Sequence, residues 1–286
     1  FLQEGHRLEF EKPNDASSPL VRRGIVYNEM KGSFASPTTR LYNALTRELL
    51  PDTIYGIESG GDPAHIPELS YDELLNFHKT YYDPGHCLFF LYGKAALDPF
   101  LAHIEQNVLK GHAKPKPLKK LKMQPLFKKP VQAETTYPID VSEQERAQPY
   151  MAFGWLTTSV TQPLELLTLE LATLILMEND SSPLKQALIK HGLCTDASLY
   201  LDTDHPQVPC ILFLTGCKTD DTGAAWTVIE HTLSDLIERG IERHLIDAAL
   251  HQLEFERLEI DSGRGPYGLS LFMRAALAEQ HGANVE

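Results

Sequence analysis

Apolar positions recur along this chain at two spacings, every third or fourth residue and every second, and the switches between them lay out helices and strands. Leu41, Leu45 and Leu49 stand at helical spacing behind Ser36-Pro37, a capping residue followed by a proline suited to a first helical turn. Ser70-Tyr71-Asp72-Glu73 has the form of a capping box, with Leu69 and Leu74 where a hydrophobic staple would close. A helix is therefore expected from Ser70 to Tyr82, ended by Asp83-Pro84-Gly85. Cys87 to Tyr92 is an apolar run of strand length ahead of Gly93. Asp98-Pro99 then opens a helix with Phe100, Ile104 and Val108 on one face.

Further on, Thr135 to Ile139 and Tyr150 to Thr157 read as strands, and Leu164 to Met177, leucine-rich on almost every side, as a buried helix. Ser182-Pro183 starts another helix that stops at His191-Gly192. Leu199 to Leu201 and Cys210 to Thr215 are strand candidates. Trp226, Ile229, Leu233, Leu236 and Ile237 mark an amphipathic helix closed by Gly240, followed by a second from Ile241 to Ile260 and a third over Leu269 to Ala278. Strands interleaved with helix pairs, without a Gly-rich phosphate loop, predict an α+β layered fold rather than a nucleotide-binding one.

Composition changes this picture in one place. Lys110 to Lys129 holds eight lysines and no acid, with Pro115, Pro117, Pro125 and Pro130 breaking any helix. Such a stretch reads as an extended, solvated connector, and it divides the chain into residues 1–109, a linker at 110–130, and residues 131–286. It lacks the interleaved aromatics of a nucleic-acid patch, Phe127 excepted. The rest carries the acid that makes the net charge −13, which reads first as plain solubility and second as a surface that repels nucleic acid and attracts cationic peptides or polyamines. No apolar run approaches the ~20 residues of a membrane helix. The four cysteines (Cys87, Cys194, Cys210, Cys217) form no Cys-x-x-Cys pair and are expected as buried free thiols of an intracellular protein. Both ends read as cuts: Phe1 to Lys12 resembles mid-element sequence, and the last helix stops a few residues before Glu286.

The most specific stretch is Gly24-Ile25-Val26-Tyr27-Asn28-Glu29-Met30-Lys31-Gly32, read with Ser59-Gly60-Gly61-Asp62-Pro63 and Ile66-Pro67-Glu68-Leu69. Together they resemble the insulinase/pitrilysin zinc metallopeptidases, in the presequence protease branch. Ser182-Pro183-Leu184 and His191-Gly192-Leu193 extend the likeness into the second half. The resemblance implies two layered α+β domains of antiparallel or mixed sheet with helices packed on it. Residues 1–109 would be the second half of the zinc-binding domain, the first domain being incomplete, and residues 131–286 most of the second.

It also implies that Glu29 is the third ligand of Zn2+, the other two coming from a His-x-x-Glu-His helix that this chain lacks. Asn28 and Lys31 would support Glu29 by hydrogen bonds. Ser59, Gly60, Gly61 and Asp62 form either a loop bordering the substrate chamber or a tight connector, since paired glycines serve both. Arg22 stands where many relatives in the wider family carry a second glutamate, and Glu4 and Glu9 either line the same cleft as Glu29 or, as the favoured expectation, lie on an exposed helix face. The activity implied is degradation of short, unstructured peptides, selected by size and extension, in a closed chamber in the bacterial cytoplasm or mitochondrial matrix; the acidic balance adds a bias toward basic ones. The partners implied are those peptides and the remainder of a parent chain. With one ligand and no general base, these residues alone should neither cleave peptides nor hold zinc stably. The other function implied is a non-catalytic insulinase-like domain that binds peptides or shapes a chamber. His78 and His86 have no partner at metal-ligand spacing, and Phe255 stands where His251-Gln252-Leu253-Glu254 would need a second histidine. A serine hydrolase is not supported, because there is no Gly-x-Ser-x-Gly elbow.

Overall fold

The computed structural model describes residues 5–113, 117–142, 148–218, 220–260 and 266–283. Glu4 and the lysines at 114 and 116 lie outside these residues. A hairpin of β1 (Arg7–Phe10) and β2 (Leu20–Arg23) leads into helices α1 (Ile25–Ser33) and α2 (Pro37–Leu49). Helices α3 (Tyr71–Tyr81) and α4 (Leu97–His103) follow, the latter widening into a π-helical stretch at Ile104–Leu109. Beyond the connector come β3 (Met151–Ser159), α5 (Pro163–Met177), α6 (Pro183–Lys190), β4 (Asp196–Leu201), β5 (Gln207–Thr215), α7 (Thr222–Arg239), α8 (Arg243–Leu258) and α9 (Tyr267–Gln280). The α+β class expected from the sequence is what the chain adopts.

Caps set the helix starts as the sequence implies. Ser36 Oγ accepts from the Thr39 amide, and the Ser70 amide donates to Glu73 Oε2 at 2.8 Å while Ser70 Oγ accepts from the Glu73 amide. Each bond satisfies an amide that the first helical turn leaves without an intrahelical acceptor. Gly192 and Gly240, at φ 70° and 77°, terminate α6 and α7 in the left-handed region that costs a residue with Cβ about 1–2 kcal/mol. Helix α4 starts at Leu97, with Asp98 in its first turn rather than capping it.

The second half is organised by an antiparallel sheet in the order β3-β5-β4. Its register aligns Phe153 with Leu212 and Leu212 with Leu199, and likewise Met151, Leu214 and Ala197. That face packs with Met177 of α5, Leu184 and Leu188 of α6, and Ala225 and Ile229 of α7 into the main core. Leu188, Leu212, Leu214 and Ile229 are essentially fully buried, each stabilising the fold by about 1.5–3 kcal/mol. The opposite face aligns Gly154 with Ile211 and Tyr200, and here α2 lies across β3. A Cβ on Gly154 would sit 2.9 Å from Leu45 Cδ2, so the missing side chain is what lets the helix come this close.

Five expectations are corrected. Cys87 to Tyr92 forms no strand, because a strand needs a neighbour for its amides and carbonyls and none pairs with it among the described residues. The segment lies instead along α9: Phe90 stacks on Phe272 with centroids 4.5 Å apart, and Tyr92 occupies the space beside Gly268. Thr135 to Ile139 likewise stays unpaired, and among the described residues β3 is the first strand of the second half. Helix α5 buries only Ile175 and Met177 fully, since α8 covers one side of it and Leu164 stands in solvent. Glu9 sits on strand β1, in contact with Arg7 and Arg23, so the exposed helix face expected there does not exist. Cys87 is exposed because the unpaired run that carries it is exposed, whereas Cys194 and Cys217 lie in the core and Cys210 is half-buried.

The lysine-rich connector is extended, but it is not solvated throughout. Gln124 is buried: its side chain accepts from the Asp52 amide at 2.9 Å and donates to Asp52 Oδ2 at 3.0 Å. Its backbone amide donates to the Gln207 side chain, and its carbonyl accepts from Gln207 Nε2 at 2.9 Å. One residue thus ties the chain after α2 to the first position of β5, while the neighbouring Lys119, Lys120 and Lys122 keep their charges in water.

The end of β5 gives a stability prediction. Gly216 has φ 62°, and a Cβ there would meet the Thr195 side chain. Gly216→Ala should lower unfolding free energy by about 1–3 kcal/mol, from backbone strain and the clash together. Chemical denaturation followed by tryptophan fluorescence reads this, and an unchanged midpoint would contradict it.

Candidate functional site

Helix α1 carries the Gly24–Gly32 stretch. Its N-cap, Gly24, is extended at φ 166°, and a Cβ there would collide with the Gly5 carbonyl where the entry to β1 crosses it. The helix is anchored by one side only. Met30, with Phe34, packs on Ile66, flanked by Val26 and Tyr27, to form a small core of its own. Glu29 is one position round the helix from Met30, about 100° away, and is exposed. The residues that share its face, Ile25 and Gly32, are exposed too, and a Cβ on Gly32 would touch nothing within 4 Å.

The other residues singled out in the sequence fall around this helix. Asn28 is exposed beside Glu29, and Lys31 lies about 200° round the helix with its Nζ 5.6 Å from the Tyr27 ring centroid. No hydrogen bond joins either side chain to the Glu29 carboxylate among the described residues; Lys31 is engaged in a cation–π contact instead. The Ser59–Asp62 loop packs under α1: Gly60 abuts the Met30 thioether, and Gly61, at φ 90°, sits against Ile66. Asp62 caps the following turn by accepting from the Ala64 amide at 2.8 Å. The glycines let the loop pass beneath the anchored side of the helix. A shallow cavity of about 470 Å³ opens between the hairpin and α1, lined by Leu8, Leu20, Val21, Arg22, Tyr27 and Lys31. Arg22 is therefore a strand residue at the mouth of this cavity.

As a metal donor, Glu29 is suitable in kind, a solvent-facing carboxylate on a helix held through Met30 and its neighbours. Among the described residues no group of three His, Cys, Asp or Glu side chains converges to complete a metal site around it or anywhere else.

The family model for the peptidase M16 inactive domain matches residues 68–253. The chain belongs to the peptidase M16 family. Similar proteins include the mitochondrial presequence protease of Danio rerio, 36% identical over 90% of this chain and 25% of the relative. Protein HypA of Clostridium perfringens is 32% identical over 96% of this chain and 28% of its own length. The chain thus spans about a quarter of the curated relatives it matches. Among solved structures, a protease from Helicobacter pylori superposes with a TM-score of 0.64 at 17% identity, covering 89% of this chain and 61% of that one, a likeness of fold.

Within the M16 chain, the matched inactive-domain region runs from the turn before α3 into α8, so α1 and Glu29 lie upstream of it. Sequence reasoning missed a second set of polar residues. Tyr42 of α2 and Asp202 at the end of β4 are 160 positions apart and joined by a hydrogen bond. The local signal, Asp202-Thr203-Asp204-His205-Pro206 between two strands, reads only as a turn. A larger side chain at position 60 tests the support of α1: Gly60→Val should displace Met30 and raise amide exchange in α1 about tenfold, leaving β5 protected. Unchanged exchange in α1 would show that the loop does not hold the helix.

Proposed function

We propose that this chain is part of a zinc-dependent metalloendopeptidase that degrades short, unstructured peptides, with Glu29 as the third ligand of the metal. The observation that carries the reading is the Gly24–Gly32 stretch folded as a helix that is anchored through Met30 and turns Glu29 outward, with no other partner for its carboxylate among the described residues. The remaining donors, two histidines and a general-base glutamate, would be supplied by a His-x-x-Glu-His motif elsewhere in the parent polypeptide. Bound zinc in such a site lowers the pKa of a water and polarises the scissile carbonyl. The work of this chain is to hold one carboxylate at a fixed point on a rigid wall and to build part of the chamber around it.

Membership of the M16 family and the likeness to proteins named as mitochondrial presequence proteases support peptides as substrates and an organellar matrix or bacterial cytoplasm as the setting. The net charge of −13 favours basic, presequence-like peptides. We assign residues 1–109 to the zinc-binding domain and 131–286 to the second domain, with 110–130 as the connector between them. Ahead of that connector, the exposed apolar side chains of α3 and the Cys87–Tyr92 run (Phe77, Tyr81, Leu88, Phe89, Leu91) offer a surface for the remainder of the parent chain. A second reading, a non-catalytic domain that shapes a chamber, is favoured by the description of the matched family model as an inactive domain.

Substitution in the full-length protein separates the two. Glu29→Gln keeps size and polarity but removes the anionic ligand; zinc content should fall and peptide hydrolysis should drop at least about a hundredfold, without loss of thermal stability. Unchanged zinc stoichiometry and hydrolysis would sink the ligand assignment and favour the non-catalytic domain.

A further inference from the structure

Among the described residues, a set of ionisable groups around the buried Asp202 and His205 lies away from Glu29, where the first half of the chain meets the second. Asp202 is 4% exposed, at the end of β4. Its Oδ2 accepts from the Tyr42 hydroxyl of α2 at 2.7 Å, and its Oδ1 accepts from the Asp204 amide at 3.3 Å. His205 Nδ1 lies 2.9 Å from Oδ1. Tyr55, from the 3₁₀ turn Ile54–Gly56 after α2, covers the His205 ring with centroids 4.3 Å apart. His281, just after α9, reaches the Asp204 carbonyl with Nε2 at 3.3 Å and meets Tyr55 edge-on. The ionisable groups facing Asp202 are thus Tyr42 and Tyr55 from the first half, Tyr200 of β4, and Asp204 and His205 of the β4–β5 turn. Glu58, farther off, faces Tyr42, and His281 closes the outer side.

We propose that Asp202 is a positioning residue: ionised, it clasps α2 to the β4–β5 end of the sheet and so fixes the helix pair α1–α2 that carries Glu29. The two helices are coupled because only Phe34 to Ser36 separates them and the Arg40 side chain donates back to the Phe34 carbonyl. A displacement of α2 is therefore passed to α1. This use of the clasp rests on the reading of Glu29 as a zinc ligand, whereas the clasp itself does not.

The charge of Asp202 is what holds the set together. Burial alone would raise its carboxyl, but the contacts with His205 and Tyr42 hold it below the ordinary carboxylate range. Burial first, and then the Asp202 charge, push the Tyr42 phenol up, so it stays a donor at neutral pH. A carboxyl with a depressed folded pKa stabilises the fold above its unfolded value of 3.8, and the contribution is lost as pH falls through the folded value. The clasp should accordingly hold at neutral pH and fail only as pH falls through the depressed folded value, below the ordinary carboxylate range.

Hydrogen exchange on the full-length protein, with zinc content and hydrolysis measured on the same samples, provides the test. Asp202→Ala should raise exchange in α1 and α2 about tenfold while β5 stays protected, and it should lower zinc content. Asp202→Asn keeps an acceptor for Tyr42 and should restore part of the protection. Wild type should show an acid step in α2, at a pH below the ordinary carboxylate range, that Asp202→Asn lacks. If α2 loosens while zinc content and hydrolysis hold, the clasp stands and its link to Glu29 falls. Unchanged α2 protection in Asp202→Ala, or equal loss in α2 and β5, would overturn the clasp.

Discussion

Helix α2 can lie against the back of the three-stranded sheet because position 154 has no side chain, and the placement of the first half of the chain follows from that contact. With Leu45 seated over Gly154, both faces of β3 are covered, one by the α5–α6–α7 layer and the other by α2. The approach brings Tyr42 within reach of Asp202 and lets Asp52 meet Gln124. Leu45 over Gly154 sets the closeness of this junction and the polar pairs fix its register, since a buried carboxylate or amide left without partners costs about 1–3 kcal/mol or more.

That junction alters what a domain boundary means here. A run of eight lysines and four prolines between two folded stretches is the composition of a loose tether. The run is extended as that composition requires, yet Gln124 is drawn into a buried four-bond knot with Asp52 and Gln207. Local composition describes the lysines correctly and says nothing of the glutamine, because its partners lie 72 and 83 positions away.

The same distinction separates what was legible in the sequence from what was not. Helix ends were legible because their causes are local: Ser36 and Ser70 cap with their own side chains, and Gly192 and Gly240 stop helices with their own backbone freedom. Cys87 to Tyr92 has the apolar content of a strand, but strand formation depends on a neighbour that its own residues do not specify, and it packs along α9 instead. Gly154 looked like any glycine in a strand, its reason standing on another helix. At the candidate site, the identity of Glu29 came from a nine-residue resemblance. Its outward orientation follows from Met30, the neighbour that anchors the helix, whereas the pairing of Lys31 with Tyr27 rather than Glu29 follows from the 3.6-residue turn.

The functional account therefore rests on a helix fixed from below and open above, in a chain of the M16 family, with the rest of the proposed metal site contributed from outside these residues. The most direct test is an anomalous-scattering map at the zinc absorption edge from crystals of the full-length protein. If Glu29 is the third ligand, one strong peak lies about 2.0–2.2 Å from a Glu29 carboxylate oxygen, with two histidine nitrogens completing the protein ligands. A zinc peak elsewhere, with the Glu29 carboxylate uncoordinated, would contradict it.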